Sequence, residues 1–386
     1  MHRSIILLWY CLFALPVCQA GCLTVAATGD IMMGSTYPCE KLPPADGERI
    51  FGNVKEAFKE ADMVFGNLEG PLTDGGEPVK PQKENYFSFR TPERYATLLK
   101  NAGFNVMNIA NNHSSDFGPA GVENTLKSLR SAGIKTTGGA RIALLIIRGK
   151  RVVVAGFSFS WPDHPYSINN VEKAAEIVAT LKQKNDIVVV SFHGGSEGNS
   201  ALHLSGKNEF LFGENRGNVT GFSRAVIDAG ADMVIGHGPH VPRALEVYNN
   251  KLIIYSLGNF LTYGRFNIKG TSGLGMILKA RMDDETGNFI DGEIVPVKLV
   301  DGGIPEPDRE RKTIGLVQKL TKEDIKNGTI IIANSGKIRL IPLCMHPEMA
   351  KVSPLDIFIR MVTGWKKGDR TPGFYQGCWF APPPLK

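Results

Sequence analysis

The stretch ADMVIGHGPHVPRALEVYNNKLIIYSLGNF, residues 231–260, decides the fold because it brings a short apolar run to an abrupt polar end. Residues 233–235 predict a buried strand, and Gly236 ends it. Beyond the polar end, residues 244–247 and 252–256 predict a hairpin around the turn sequence YNNK. This part of the chain therefore predicts strands that carry polar groups at their ends.

Two histidines stand on the turn that follows the first of these strands. Gly238 tolerates positive φ and Pro239 fixes φ, so together they shape a turn that presents His237 and His240. The two imidazoles can converge on one point, and neutral imidazole is a common ligand of zinc, manganese and iron. An isolated HxxH pair is equally compatible with an exposed loop that has no function. The rest of the chain has to decide between the two.

Ligand-type side chains recur after other predicted strands. Each predicted strand is followed by one or more such side chains: residues 23–28 by Asp30, residues 63–65 by Glu69, residues 106–109 by Asn112, His113 and Asp116, and residues 187–192 by His193. The alternation of strand, polar turn and helix predicts an α/β architecture, and ligands in such folds gather at the carboxyl ends of strands. Carboxylate, amide oxygen and imidazole form a mixed set that suits Mn, Fe or Zn better than Ca²⁺. The sequence therefore predicts one or two divalent metal ions at this edge.

The remaining elements predict a mixed sheet and an additional C-terminal part. Antiparallel strands are predicted at residues 142–147, 152–157, 274–281 and 290–299, short strands at 329–333 and 338–343, and helices at 50–61, 122–132, 171–184 and 309–320. Residues 199–217 show no period and are interpreted either as a lid near the site or as a plain surface loop. The predicted units are a leader at residues 1–20, a main domain at 21–303 and an extension at 304–386.

The composition is that of a folded, exported protein. Of 386 residues, 42% are hydrophobic and 21% charged, which permits a sizeable core. The first twenty residues place Arg3 before an apolar run and end in Cys-Gln-Ala, a pattern that predicts a signal peptide cleaved near Ala20. Cys22 follows Ala20 and Gly21 as in a lipoprotein, so a lipid-anchored form is the alternative. The chain is expected in the periplasm or at the cell surface.

Cysteine usage and charge add two expectations. After removal of the leader, Cys22, Cys39, Cys344 and Cys378 remain, and in an oxidising compartment an even number suggests two disulfides, with three pairings open. Cys22 with Cys39 is one candidate pair. The formal charge of +6 is modest for this length and predicts no nucleic-acid partner. It permits contact with an acidic polymer, although a solvated basic face explains it equally.

Six ordered motifs resemble a known family. They are TGDIMMG, GNLEGPLT, NVMNIANNHSSDFGPAG, VVVSFHGGSE, DMVIGHGPHV and IIYSLGNF, between residues 23 and 262. In this order they are similar to the capsule and poly-γ-glutamate biosynthesis proteins of the CapA type, a branch of the calcineurin-like metallophosphatases. The resemblance implies a four-layer α/β/β/α sandwich with metals at one edge. It implies metal ligation by Asp30, Glu69, Asn112, His193, His237 and His240, and a catalytic role for His113.

The motifs also depart from the metallophosphatase pattern. The usual DxH is Asp30-Ile31-Met32 here, Glu69 stands in place of an aspartate, and the final motif is GHGPH. Because Met32 cannot serve a hard cation as histidine does, one metal position is expected to be weaker, vacant or filled differently.

Several of these residues have simpler interpretations. Asp30 and Asn112 suit capping of turn amides, and His113 and Asp116 suit a structural hydrogen bond with each other. Arg90 and Asn259 flank strand ends, which suggests that they bind substrate or support the ligands. Arg90 equally suits packing of its stem on neighbouring phenylalanines.

The leading hypothesis is an exported, metal-dependent hydrolase that acts on an anionic envelope polymer such as poly-γ-glutamate, or on a phosphoester. His113 and Asp116 are its predicted catalytic residues. The alternative is a non-catalytic factor that binds the same polymer during capsule assembly. Membrane-bound synthase or export components are the further partners that either hypothesis suggests.

Overall fold

The computed structural model describes residues 21–79 and 87–341. Its strands in chain order are β1 (Cys22–Met32), β2 (Met63–Leu68), β3 (Val106–Asn108), β4 (Lys135–Thr137), β5 (Ile142–Ile147), β6 (Lys150–Ser158), β7 (Ile187–His193), β8 (Glu209–Leu211), β9 (Glu214–Gly217), β10 (Met233–His237), β11 (Leu245–Tyr248), β12 (Lys251–Ile254), β13 (Asn259–Thr262), β14 (Leu274–Asp283), β15 (Phe289–Val300), β16 (Ile304–Pro307), β17 (Ile330–Ile332) and β18 (Lys337–Leu340). The α-helices are α1 (Ala96–Ala102), α2 (Gly118–Ser131), α3 (Val171–Lys182), α4 (Val219–Asp228) and α5 (Lys312–Asp324).

Two large sheets face each other across the main hydrophobic core. One sheet has ten strands with the central order β17-β18-β15-β14-β1-β2-β3-β4, and the other has six in the order β11-β12-β10-β7-β6-β5. Apolar side chains of β1, β2, β7 and β10 fill the space between them. Helices α1 and α2 pack on the outer face of the larger sheet, and α3 and α4 on the outer face of the smaller one. The predicted α/β/β/α sandwich with mixed sheets is confirmed.

The parallel strands bring their carboxyl ends to one edge. β1, β2 and β3 run parallel in the larger sheet, with Asp30 opposite Asn67 and Asn67 opposite Asn108. β7 and β10 run parallel in the smaller sheet, with His193 opposite His237. Their near-continuous apolar sequences are those of strands buried on both faces. Residues far apart in the chain therefore share one rim of the molecule.

Strand β1 is longer than its sequence predicts. It was expected to end before Asp30, but Asp30–Met32 continue as strand because β13 pairs with them in parallel. The partner is Asn259–Thr262, a segment that local sequence patterns cannot connect to β1. The register of β1 shifts on both sides of Asp30, as at a β-bulge. Asp30 thus lies inside an irregular strand instead of on a loop beyond it.

The helix predicted at residues 50–61 is wrong. The structure has turns there and only a short 3-10 helix, Lys55–Phe58. Gly52 and Asn53 lie in the middle of the apolar pattern, and both have low helix propensity. Ile50 and Phe51 are buried as the period predicted, so the pattern located the core-facing residues but not the backbone.

The described part of the predicted C-terminal extension continues the main fold. Strands β16, β17 and β18 belong to the ten-stranded sheet, and α5 contributes Ile314 and Val317 to the core between the sheets. The boundary predicted after residue 303 therefore does not coincide with a break in the structure. Residues 342–386, with Cys344 and Cys378, lie outside the described residues, as does the predicted leader at residues 1–20.

The cysteine pair suggested for the N-terminus does not form a bridge. Cys22 and Cys39 are both free thiols. Cys22 begins β1 opposite Asp283, whereas Cys39 is exposed and contacts Arg265. The suggestion rested on even cysteine count alone, which carries no spatial information.

Residues 194–217, called the hairpin segment below, follow β7 and end in the two-stranded sheet of β8 and β9. Arg243 anchors this segment: its guanidinium is fully buried and donates to both oxygens of Glu209, at 3.1 and 2.8 Å. Arg243 also donates to the carbonyls of Ala201 and Ser196. The segment is therefore attached directly behind the histidine turn.

Among residues 21–79 and 87–341, no helix is both long enough and apolar enough to cross a bilayer.

We predict that Gly29→Ala destabilises the protein. A Cβ at position 29 would lie 1.9 Å from the carbonyl oxygen of Gly258, so β1 and the turn before β13 would have to separate. Overpacking of this kind typically costs about 1–3 kcal/mol of unfolding free energy, which urea titration followed by circular dichroism measures. Gly315→Ala is the matched control, because Gly315 is exposed within α5 and an added Cβ meets nothing within 4 Å. It should be neutral or slightly stabilising. Equal urea midpoints for both variants would contradict the close approach.

Candidate metal centre

Three ligand-type side chains meet where the two sheets share a rim. Asp30, Glu69 and His240 each place a ligand atom within 4.8 Å of the others. His240 Nδ1 lies 3.0 Å from Asp30 Oδ2, and His240 Nε2 lies 3.5 Å from Glu69 Oε1. Both carboxylates are fully buried. The residues come from β1, the turn after β2 and the turn after β10, which is the convergence that the strand ends predicted.

His193 and His237 flank this group. His193 Nε2 lies 3.8 Å from Glu69 Oε1, so the last residue of β7 reaches the same space. His237 Nε2 lies 2.9 Å from the carbonyl oxygen of Thr28. Because a carbonyl only accepts, Nε2 carries the proton, and this bond fixes the ring orientation as the outer partners of metal-binding histidines do. His237 stands outside the group of three.

Buried polar atoms without hydrogen bonds show that the residues present fit a cation. Both oxygens of Glu69, Oδ1 of Asn112 and Nε2 of His193 are buried and lack a hydrogen-bond partner in the described structure. Leaving such groups unsatisfied costs roughly 1–3 kcal/mol each, more for a charged group. A divalent cation accepts donation from all these atom types. Mixed nitrogen and oxygen donors are those that Mn, Fe and Zn prefer.

The ionisation states of the group are unequal. Burial raises the pKa of Glu69 well above its usual value, and the negative charges of Asp30 and Glu197 add to this. Burial also opposes ionisation of Asp30, but its hydrogen bond with His240 and the nearby imidazoles outweigh burial and lower its pKa. Burial disfavours the charged form of His240, yet the carboxylates of Glu69 and Asp30 reverse this and raise its pKa. Protonation of both Glu69 and His240 is therefore favoured in the absence of a cation.

The other two histidines are neutral. Burial lowers the pKa of His193 well below its usual value, and burial likewise lowers the pKa of His237. Neutral imidazole is the form that binds metal ions. His193 and His237 therefore present uncharged imidazoles, whereas Glu69 and His240 must release their protons before they can bind a cation.

The turn that carries His240 is tightly constrained. His240 itself has a φ of 57°, in the left-handed region that non-glycine residues rarely adopt. Gly238 has a φ of 109°, and a Cβ there would lie 2.9 Å from the backbone nitrogen of Gly194. The turns after β7 and β10 therefore pack backbone against backbone. Strain of this kind is common where a side chain must be held in one position for function.

An asparagine network behind the ligands was missed from the sequence. Asn67 Nδ2 donates to Asp30 Oδ1 at 2.9 Å and lies 3.3 Å from His193 Nδ1. Asn67 Oδ1 accepts from the side chains of Asn108 and Asn111, at 2.9 and 3.1 Å. The signal was present, because these residues occupy the same motifs as Glu69 and Asn112. The pattern of strand ends does not show which asparagine points inward.

His113 and Asp116 pair closely at the edge of the centre. His113 Nδ1 lies 2.9 Å from Asp116 Oδ2, and the same oxygen accepts from the backbone of Phe89. The ring of His113 packs on Phe89, whose ring packs on Phe266, which in turn contacts His240. The hydrogen bond between His113 and Asp116, which was the simpler interpretation of these two residues, is present. It also orients His113, as a carboxylate orients a catalytic imidazole.

The two residues predicted to touch substrate have other contacts. Arg90 donates to Thr36 Oγ1 and to the carbonyl of Gly76, and its guanidinium lies over the rings of Tyr37 and Phe117. Its guanidinium therefore packs on aromatic side chains, those of Tyr37 and Phe117.

Asn259 is fully buried, and its Oδ1 lies 3.1 Å from His240 Nδ1. Its Nδ2 donates to the carbonyls of His240 and Ser272. Burial behind His240 fits support of a ligand and does not fit contact with substrate.

We predict that Glu69→Ala and His240→Ala weaken Mn²⁺ and Zn²⁺ binding by at least about tenfold to a hundredfold, the loss that even outer partners of a metal ligand cause. Isothermal titration calorimetry of the purified chain measures this directly. His203→Ala is the control, because His203 is exposed and pairs with Asp324 instead. Unchanged metal affinity in both site variants would show that the three side chains do not form a metal site.

The chain is similar to a known protein family, to curated relatives and to solved structures. Residues 24–263 match the family described as bacterial capsule synthesis protein PGA_cap. The capsule biosynthesis protein CapA of Bacillus anthracis is 28% identical over 339 residues, which cover 82% of this chain and 77% of that protein. The PGA biosynthesis protein CapA of Bacillus subtilis (strain 168) is 29% identical over 323 residues, which cover 78% of each. A solved phosphatase from Mycoplasma pneumoniae aligns over 77% of this chain and 99% of its own with a TM-score of 0.44 and 14% identity.

Proposed function

The chain belongs to the bacterial capsule synthesis protein family, and on this premise we propose that it is a divalent-metal-dependent hydrolase of an anionic capsule polymer. The observation that carries the proposal is the convergence of Asp30, Glu69 and His240 within 4.8 Å at a buried rim, beside the His113–Asp116 pair. A ligand group next to an oriented imidazole is the arrangement that hydrolysis requires.

Each residue has a defined part in this proposal. Asp30, Glu69 and His240 would hold the ion, with His193 and Asn112 able to complete its ligands. When bound, a divalent ion supplies Lewis acidity toward an oxygen of the substrate. The residues of the chain then position the substrate and donate a proton to the leaving group.

His113 is the proposed proton donor. Asp116 lies 2.9 Å from Nδ1 of His113 and orients the imidazole, and we propose this ring as the group that donates a proton to the leaving group. Phe89 covers the face of the ring, with a centroid distance of 4.3 Å, and restricts access of water to it.

The proposed substrate class comes from the relatives. Two of them are named for capsule biosynthesis and PGA biosynthesis. For this chain we propose an anionic envelope polymer of the poly-γ-glutamate type, with an amide or phosphoester bond as the point of cleavage. Membrane-bound synthase or export components are proposed as partners on the same ground.

Two observations favour the second candidate, a polymer-binding assembly factor without turnover. Met32 occupies the position at which metallophosphatases usually carry histidine, and it is fully buried with its sulfur accepting from the backbone of Gly34. Asn67, not a carboxylate, bonds to Asp30. Both features reduce the ligands available for a second ion.

We predict that His113→Ala lowers kcat by about 10²–10⁴-fold, the usual contribution of a general acid, without loss of bound metal. The assay uses Mn²⁺-loaded protein with p-nitrophenyl phosphate, bis-p-nitrophenyl phosphate and γ-glutamyl p-nitroanilide, and metal content is measured in parallel. His203→Ala again serves as the control.

Two outcomes decide against the proposal. Turnover by His113→Ala at the rate of the unmodified chain would remove His113 from the mechanism. Metal-independent binding of poly-γ-glutamate with no hydrolysis of any of these substrates would support the assembly factor.

We further propose that the chain is exported by its N-terminal segment. The support is the sequence pattern of residues 1–20, with Arg3 ahead of an apolar run. We expect the mature protein to lack these residues, which intact mass spectrometry of protein from the native host measures. A mass that includes them would refute cleavage, and a lipid mass on Cys22 would identify the anchored form.

A further inference from the structure

A buried arginine stands beside the metal centre without a role in the function proposed so far. Arg216 lies on β9 at the end of the hairpin segment, and its side chain is only 5% exposed. Burying a guanidinium is costly unless it is paired, so its presence here calls for a reason.

The backbone fixes Arg216 next to His193. Gly195 donates its amide to the carbonyl of Arg216 at 2.8 Å, two residues after the histidine. A Cβ on Gly194 would lie 2.8 Å from the same carbonyl oxygen, so β9 passes close to the turn. The buried Arg243–Glu209 pair holds the start of β8 and thereby the whole segment.

Aromatic contacts connect the guanidinium of Arg216 to His193 through Phe159. The guanidinium carbon of Arg216 lies 4.0 Å from the ring centroid of Phe159, a cation–π contact. The other neighbour of Phe159 is His193, with stacked rings 6.1 Å apart. The charge of Arg216 acts on both Glu69 and His193.

The hydrogen-bonding capacity of Arg216 is incompletely used. One terminal nitrogen contacts Glu197 at 2.5 Å, and the other contacts Glu214 at 3.1 Å. Nε is buried and lacks a hydrogen-bond partner in the described part of the chain. The side chains of Glu197 and Glu214 are 26% and 50% exposed. Water can therefore replace Arg216 as the hydrogen-bond partner of either carboxylate. The guanidinium can therefore accept an incoming anion.

We propose that Arg216 binds the anionic group, phosphate or carboxylate, of the molecule that the metal centre receives. The planar fork of a guanidinium matches either oxyanion. A cation here also offsets the negative charge of Asp30, which otherwise repels an acidic substrate. Arg216 thus takes the substrate-binding role that the sequence offered as one of two interpretations of Arg90. This inference rests on the proposed function only in assuming that the centre receives an acidic molecule.

The test separates anion binding from turnover. Inorganic phosphate and poly-γ-glutamate are titrated separately by calorimetry into the Mn²⁺-loaded full chain and into Arg216→Gln and Arg216→Lys. We expect Arg216→Gln to weaken binding of phosphate, of the polymer, or of both by at least about tenfold, as for loss of a hydrogen bond to a charged group. Arg216→Lys should lie between, since it keeps the charge and loses the fork. Mn²⁺ affinity of each variant is measured in parallel, and anion affinities are compared at saturating Mn²⁺.

Arg224→Gln is the matched control. Arg224 also pairs with a glutamate, Glu246, but it is partly exposed on α4 and contacts Tyr248 instead of the ring beside His193. It should leave anion affinity unchanged. Circular dichroism checks the fold of each variant, and Arg216→Lys carries the test if Arg216→Gln does not fold.

The outcomes separate the two proposals. A loss for phosphate alone identifies a phosphoester substrate, and a loss for the polymer alone identifies its carboxylates. Anion affinities in Arg216→Gln equal to those of the unmodified chain overturn the inference, as does failure of the Mn²⁺-loaded chain to bind either anion. Absence of hydrolysis, with anion binding that still depends on Arg216, contradicts the proposed hydrolase and supports this inference.

Discussion

The hydrogen bond between His237 and the carbonyl of Thr28 joins the two sheets at the rim where the candidate site lies. Thr28 belongs to the central strand of the larger sheet, and His237 ends a central strand of the smaller one. Both residues are buried, so water does not compete for this bond. Because Thr28 precedes Asp30 by two residues, the bond holds the two sheets together next to the candidate site. The site depends on this contact because its ligands come from both sides.

Packing around this junction is made by backbone more than by side chains. Glycines at 29, 194 and 238 allow chains to approach closer than any Cβ would permit. The result is a rim in which turns are stacked and ligand side chains are the groups that remain to fill the space. This explains why polar atoms such as both oxygens of Glu69 are buried without partners. The fold holds them in place at a cost that a bound cation would offset.

Much of this arrangement could be predicted from the sequence. The buried strands, the hairpin after the histidine turn and the convergence of Asp30, Glu69 and His240 all follow from apolar runs that end in ligand-type residues. Periodicity and turn chemistry are local properties, and these elements are locally determined. The family resemblance is confirmed by the match over residues 24–263.

The errors have a common cause, which is dependence on distant parts of the chain. Pairing of β13 lengthened β1, and strands beyond residue 303 joined a sheet begun near residue 22. The two interpretations of Arg90 could not be separated from the sequence, because its partners Tyr37 and Phe117 are far from it along the chain. Arg216 carried no motif at all. Side-chain direction and long-range pairing are decided by the assembled core, which no single window of sequence contains.

The buried Arg243–Glu209 pair has a consequence for sequence variation in the hairpin segment. It secures the base of the hairpin segment, while Phe210 and Phe212 at its tip are 58% and 75% exposed. Substitutions at the tip change the molecular face offered to the surroundings without moving the ligands behind it. Sequence changes at Phe210 and Phe212 can therefore alter what this surface contacts and leave the rim with the candidate ligands unchanged.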